Sequence, residues 1–173
     1  MAVELAERAV NAVIALLQAQ LPTEIGAVNT ARGDDISLAV PPDENYHSWP
    51  KTGIAGGDCH VSVFEQEFGF TSRYSDPASQ RAIFSCPITI RVTWFNREND
   101  TKSDMVTKGR RYSAAVFNVF AKNSDIDSTD DAVKIGGVER VVPEWETVDE
   151  DASGRVKAQV ALTVTVDCEE VQG

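Results

Sequence analysis

Residues 154–168, GRVKAQVALTVTVDC, decide the fold. From Val156 to Cys168 every even position is apolar (Val156, Ala158, Val160, Leu162, Val164, Val166, Cys168), while the odd positions carry Lys157, Gln159, Ala161, Thr163, Thr165 and Asp167. A period of two sustained this far is the mark of a strand with one buried face. At about 3.3 Å per residue such a strand is ~43 Å long, well beyond the usual length. Upstream, a matching run puts Ala82, Phe84, Cys86, Ile88, Ile90, Val92 and Trp94 on one face. Pro87 lies on the other face and lacks a ladder donor, which predicts an edge position or a bend there.

Two long one-sided strands require apolar cover, and the sequence offers two helices. From Val3 to Leu21, Ala6, Val10, Val13, Ile14 and Leu17 form one stripe, and Glu4, Glu7, Arg8, Asn11, Ala15 and Gln18 the opposite one. Pro22 is expected to end this helix, Thr23 to cap a short second piece through about Ala31, and Gly33 to close it. The second helix is read from Met105 to Lys122, with Thr101 and Asp104 as a capping box. Its first half is basic (Lys108, Arg110, Arg111) and its second half apolar (Ala114, Ala115, Val116, Phe117, Val119, Phe120). That apolar part covers more of the circumference than one sheet face can bury, which points to a second layer or a neighbouring subunit.

The remaining segments complete the order. Residues 34–57 form a long loop rich in Pro and Gly, of a length that is usually functional or interface-forming. Residues 58–74 read as a strand whose apolar phase changes from Val61 and Val63 to Phe64, Phe68 and Phe70, implying a bulge near 65–67. Turns follow at 75–80 and 96–100, and an acidic loop at 123–131. Val133–Ile135 reads as a short strand broken by Gly136 and Gly137, and Val138–Val148 as a strand interrupted by Pro143, forming an antiparallel hairpin with the terminal strand. The expected fold is one α+β domain over residues 1–173, with two main helices on a mostly antiparallel sheet of long strands.

Composition bounds the function. The 173 residues carry a net charge of −11, which opposes adhesion to nucleic acid or anionic lipid. No apolar run is long enough to span a membrane. The N-terminal stretch is apolar, but Glu4 and Glu7 stand where an export signal carries basic residues. Three cysteines (Cys59, Cys86, Cys168) without a close pair argue against a disulfide framework and fit a reducing compartment.

Motifs for chemistry are few. Asp125, Asp127, Thr129 and Asp131 alternate as in an EF-hand, but Asp130 replaces the required glycine and Gly136 the bidentate Glu, so a solvated acidic loop is preferred. Cys59, His60 and His47 would supply three zinc ligands only if the fold gathered them. Residues 53–58, GIAGGD, fit no phosphate-binding pattern and read as a flexible entry to a strand. Tyr46 and Trp49 read as aromatic anchors pinning the long loop to its own or a neighbouring surface, and less readily as a small-molecule pocket. Lys108, Arg110 and Arg111 read as a solvated helix face answering nearby acids, with an inter-subunit salt bridge as the rival.

The segments ELAERAVNAVIALLQAQLP, LAVPPDENYHSWP, CPITIRVTWFNREN, RRYSAAVFNVFAK and VKAQVALTVTVDCEE resemble, in order and character, the tail terminators and related neck proteins of long-tailed bacteriophages. The resemblance implies a compact α+β subunit in a ring, commonly of six, that caps the tail tube and joins it to the head-side connector. It implies a virion protein assembled in the host cytoplasm, with DNA passing through the lumen and no specific nucleic-acid binding. No catalytic residue, cofactor or metal is implied. A head-completion or adaptor protein would look similar. An alternative of another class is a small ligand-binding or enzymatic domain using the loop around Tyr46 and Trp49. Interface positions expected under the ring reading are Tyr46, Trp49, Lys108, Arg110, Arg111 and, on the polar face of the terminal strand, Lys157, Thr163 and Thr165.

Overall fold

The computed structural model describes residues 2–51, 59–65, 71–76, 81–96, 99–123, 125–127, 133–140, 146–150 and 156–171, with side chains described for 6–51, 59–65, 84–96, 99–123, 126 and 156–168. In chain order these form helix α1 (Ala2–Arg32), strands β1 (Tyr46–His47), β2 (His60–Glu65), β3 (Thr71–Asp76) and β4 (Arg81–Phe95), helix α2 (Lys102–Lys122), and strands β5 (Asp125–Asp127), β6 (Val133–Arg140), β7 (Glu146–Glu150) and β8 (Val156–Val171). The fold is α+β. All strand pairings but the parallel one between β1 and β2 are antiparallel.

The two runs that alternate most cleanly lie side by side. β4 and β8 pair without interruption from Arg81↔Val171 to Phe95↔Lys157, so even positions oppose even ones: Ile88↔Val164, Ile90↔Leu162, Val92↔Val160. Their apolar sets therefore fall on the same face, and Cys86, Ile88, Ile90, Val92 and Trp94 of β4 and Ala158 to Cys168 of β8 are buried there. Burying each of the larger aliphatic side chains contributes about 1.5–3 kcal/mol, which makes this pair the base of the core. Asn96 closes one end: its N–H donates to Val156 O (3.0 Å), and its side-chain oxygen accepts from Val156 N–H (2.8 Å).

Each central strand is flanked by a strand in two pieces. β8 occupies one edge of β4, so β2 and β3 share the other, from His60↔Thr93 to Glu65↔Ile88 and again from Thr71↔Ser85 to Asp76↔Arg81. Between Glu65 and Thr71 the chain advances six residues against three of β4, whereas Phe64, read as the start of the new apolar face, keeps the β2 register opposite Thr89, on the face away from Val61 and Val63. Phe68 and Phe70 lie outside the described residues. β6 and β7 line the far edge of β8 in the same way. Here the expectation of a strand broken at Gly136–Gly137 is corrected: β6 runs continuously through them, and the glycines mark register shifts instead.

Pro87 also departs from expectation. It lies in a central strand, opposite Thr165, not at an edge. On its other side the described pairs stop at Glu65↔Ile88 and resume at Thr71↔Ser85.

Both helices cover the apolar face and share one core with it. α1 is a single helix through Pro22, where two pieces were expected. Leu17, Leu21 and Ile25 are fully buried at i,i+4 spacing across the proline, so continuous packing on the sheet offsets the lost hydrogen bond, about 3 kcal/mol. Gly33, at φ 59°, ends it as read. α2 begins at the predicted capping box: Thr101 Oγ1 accepts from Asp104 N–H (3.2 Å) and Asp104 Oδ2 from Thr101 N–H (2.8 Å). Tyr112 packs on Trp94 with ring centroids 5.1 Å apart, and Lys122 Nζ reaches Glu24 Oε1 of α1 at 2.6 Å.

The long connection is more structured than a loop. Asn29 exchanges two hydrogen bonds with the backbone of Leu38 (2.8 and 3.2 Å), and the Tyr112 hydroxyl accepts from Ala39 N–H (3.0 Å) and donates to Ala39 O (2.9 Å). Tyr46 and His47 then add β1 to β2, which corrects the reading of 34–57 as wholly irregular. The expected acidic loop at 123–131 likewise contains β5, whose Ile126 packs against the core. Residues 128–131, with Thr129 and Asp131, and the glycine-rich 53–58 lie outside the described residues. Among the described residues no helix is long and apolar enough to cross a membrane.

Candidate functional site: assembly surfaces

The basic cluster of α2 is split by the helix turn. Lys108 is buried, with Nζ 2.5 Å from Asp100 Oδ2. Arg111 is buried as well, its guanidinium forked onto the Asp34 carboxylate (Nη1 to Oδ1 2.8 Å) and also donating to the Ile36 carbonyl. The guanidinium holds the Asp34 carboxyl below the usual carboxylate range, and the same bond raises Arg111. Of the three cations in this cluster only Arg110 is exposed. Lys108 and Arg111 find their acids in their own chain.

The polar face of β8 is less open than its composition implies. Thr165 and Gln159 are buried, and Lys157 and Thr163 are half-buried. Each of these residues has a registered neighbour on both sides, as Thr165 has in Pro87 and Gly137, so short side chains are enclosed between strands. Asp167 accepts from Ser85 Oγ at 2.5 Å on the same face, and Arg91 lies over the Phe64 ring at 5.2 Å.

The aromatic segment divides in two. Tyr46 belongs to the core, where burial raises its hydroxyl above the ordinary tyrosine value, while Trp49 is 56% exposed. β1 brings His47 to His60, with Nε2 and Nδ1 3.3 Å apart and both rings buried. Cys59, one residue from His60 on an alternating strand, packs into the core on the other side. The three residues therefore do not converge, and no group of three or more metal-binding side chains occurs among the described residues. All three cysteines are buried, and burial pushes the thiols of Cys86 and Cys168 up to about 11, away from nucleophilic chemistry.

Among the described residues the exposed large hydrophobic side chains fall on two elements of contrasting charge. The outer face of α2 presents Lys102, Val106, Arg110, Ala114, Phe117 and Ala121, with no exposed acid among them, while Lys122 turns to Glu24 of α1. Val106 and Phe117 are two of the four large hydrophobic residues exposed among the described residues. The other two, Val40 and Trp49, stand on the long connection, where the exposed charges are Asp34, Asp35, Asp43 and Glu44. Gln18 Nε2 donates to the Asp43 carbonyl (3.2 Å) and Asn45 Nδ2 to Cys59 O (3.2 Å), so this patch is held to the body of the subunit. The excess apolar circumference of α2 is visible in the sequence. Val40 and the acids beside it carry no period that would single them out.

No protein-family model matches the chain, and no curated protein matches its sequence.

Proposed function

We propose that the chain is a non-enzymatic structural subunit of a closed ring in the neck of a tailed-phage virion, a tail terminator that caps the tail tube and joins it to the head-side connector. The observation that carries this reading is the outer face of α2: apolar and purely cationic on a protein of net charge −11. Such a face sits where its own sheet cannot cover it and fits an acidic partner surface. A head-completion or adaptor role would use the same face. An acidic lumen wall would let DNA pass without adhering.

The test is native mass measurement with negative-stain imaging, alone and with assembled tail tubes. Rings of defined subunit number, seated on tube ends, are expected. A protein that stays monomeric at high concentration and leaves tube ends bare removes the proposal.

A further inference from the structure

We infer that the outer face of α2 in one copy docks on the Asp35–Trp49 surface of the next copy, an assignment that rests on the ring-forming reading above. The two patches are complementary in both respects that a protein contact requires. Lys102 and Arg110 share the exposed α2 face with Val106 and Phe117, while Asp35, Asp43 and Glu44 are exposed on the same connection as Val40 and Trp49. Pairing them covers all four exposed large hydrophobic residues of the described chain at once and places cations against carboxylates.

A second copy is the occupant because the chain itself supplies the matching surface. Two molecules of charge −11 repel in most orientations, and this one sets the cationic face against an acidic one. The two patches differ, so within the ring reading the contact is head-to-tail: each docked copy leaves one α2 face and one acidic patch free for the next, and the chain of contacts closes when the rotation permits. The acidic patch is also preorganised. Asn29, Tyr112 and Arg111 hold residues 34–39 and Gln18 holds Asp43, so little loop ordering opposes docking.

The experiment mixes two differently tagged single-cysteine additions, Val40→Cys and Phe117→Cys, under mild oxidation, beside the variants Phe117→Asp and Val40→Asp. The native cysteines are buried and leave the added thiols as the reactive ones. Cross-linking between the two tags, with neither variant linking to itself, is expected. Each Asp variant should keep the circular dichroism of the parent and need at least a tenfold higher concentration to assemble. Self-linking of Phe117→Cys overturns the head-to-tail assignment, as does unchanged assembly of either Asp variant, and both outcomes leave the ring reading standing. Absence of any oligomer in the unmodified protein removes both.

Discussion

The imidazoles of His47 and His60 stack with centroids 5.6 Å apart and bridge β1 to β2 through a 3.3 Å nitrogen–nitrogen contact, in a place where neither ring is open to water. One N–H between two neutral rings satisfies both atoms. A proton on each would leave two buried like charges. Burial, and then the nearby Lys51 cation, depress His47 below its ordinary 6.5. The unfolded chain thus takes up this proton more readily than the folded one. Stability from this site is full above that ordinary value and declines as pH falls from there toward the depressed one. Urea unfolding followed between about pH 7 and pH 5 should show a steeper loss for the parent than for His47→Gln. Parallel curves would sink the idea. Trp49, 5.4 Å from His47, gives a fluorescence reading of the same event.

Arg110 and Arg111 are neighbours in sequence with opposite consequences. Arg111→Met removes the fork onto Asp34 and the bond to the Ile36 carbonyl, and should cost about 2–3 kcal/mol in chemical denaturation. Arg110→Glu should change subunit stability by no more than about 0.5 kcal/mol, yet raise the concentration needed for assembly. Equal destabilisation by the two would contradict the placement of Arg111 as internal.

Asn29 acts as a substitute strand for the backbone of Leu38. Asn29→Ala leaves the Leu38 N–H and C=O without those partners and should cost about 1–3 kcal/mol. Hydrogen exchange at the Leu38 and Ala39 amides should quicken while the amides of β4 keep their protection. If the Leu38 amide stays as protected as before, the side chain is not what holds the segment.

α1 contains two residues that a helix does not favour. Replacing Pro22 by Ala restores a donor toward the Gln18 carbonyl and should raise stability by about 1–3 kcal/mol. Gly26→Ala adds a Cβ that meets nothing within 4 Å in the subunit and should add about 0.5–1 kcal/mol. Thermal unfolding of the two variants and of their combination checks both. A loss of stability in Pro22→Ala would mean that the bend imposed by proline is itself needed for packing.

The central pair of strands was legible because nothing competes with a period of two carried over β4 and β8. Their registry then follows from matching apolar faces, Ile90 to Leu162 and Val92 to Val160. The helices were legible from their stripes and from the Thr101 capping box. Local rules misled at Pro22 and at Gly136–Gly137, and in the edge position allowed for Pro87, where the preference of a single residue was overridden by the packing and pairing around it. The division of the cationic cluster was hidden for another reason. Positions 108 and 111 lie about 60° apart around a helix and 110 lies about 100–160° from them, which separates Arg110 from the other two without saying which face meets water. The partner of Arg111 lies 77 residues away, beyond any local pattern.

The C-terminal position of β8 has a consequence in time. The strand that completes the middle of the sheet is the last of the described strands to leave the ribosome, and its pairings reach back to β4 across 62 to 90 residues. α1, β4 and α2 are synthesised before the surface that joins them exists. Contacts of such separation form slowly and leave apolar faces exposed meanwhile. A chain stopped before Val156 lacks the middle of its sheet, not a dispensable edge. The acidic connection and the α2 face are both hung on that core, so neither surface takes its final form until β8 is in place.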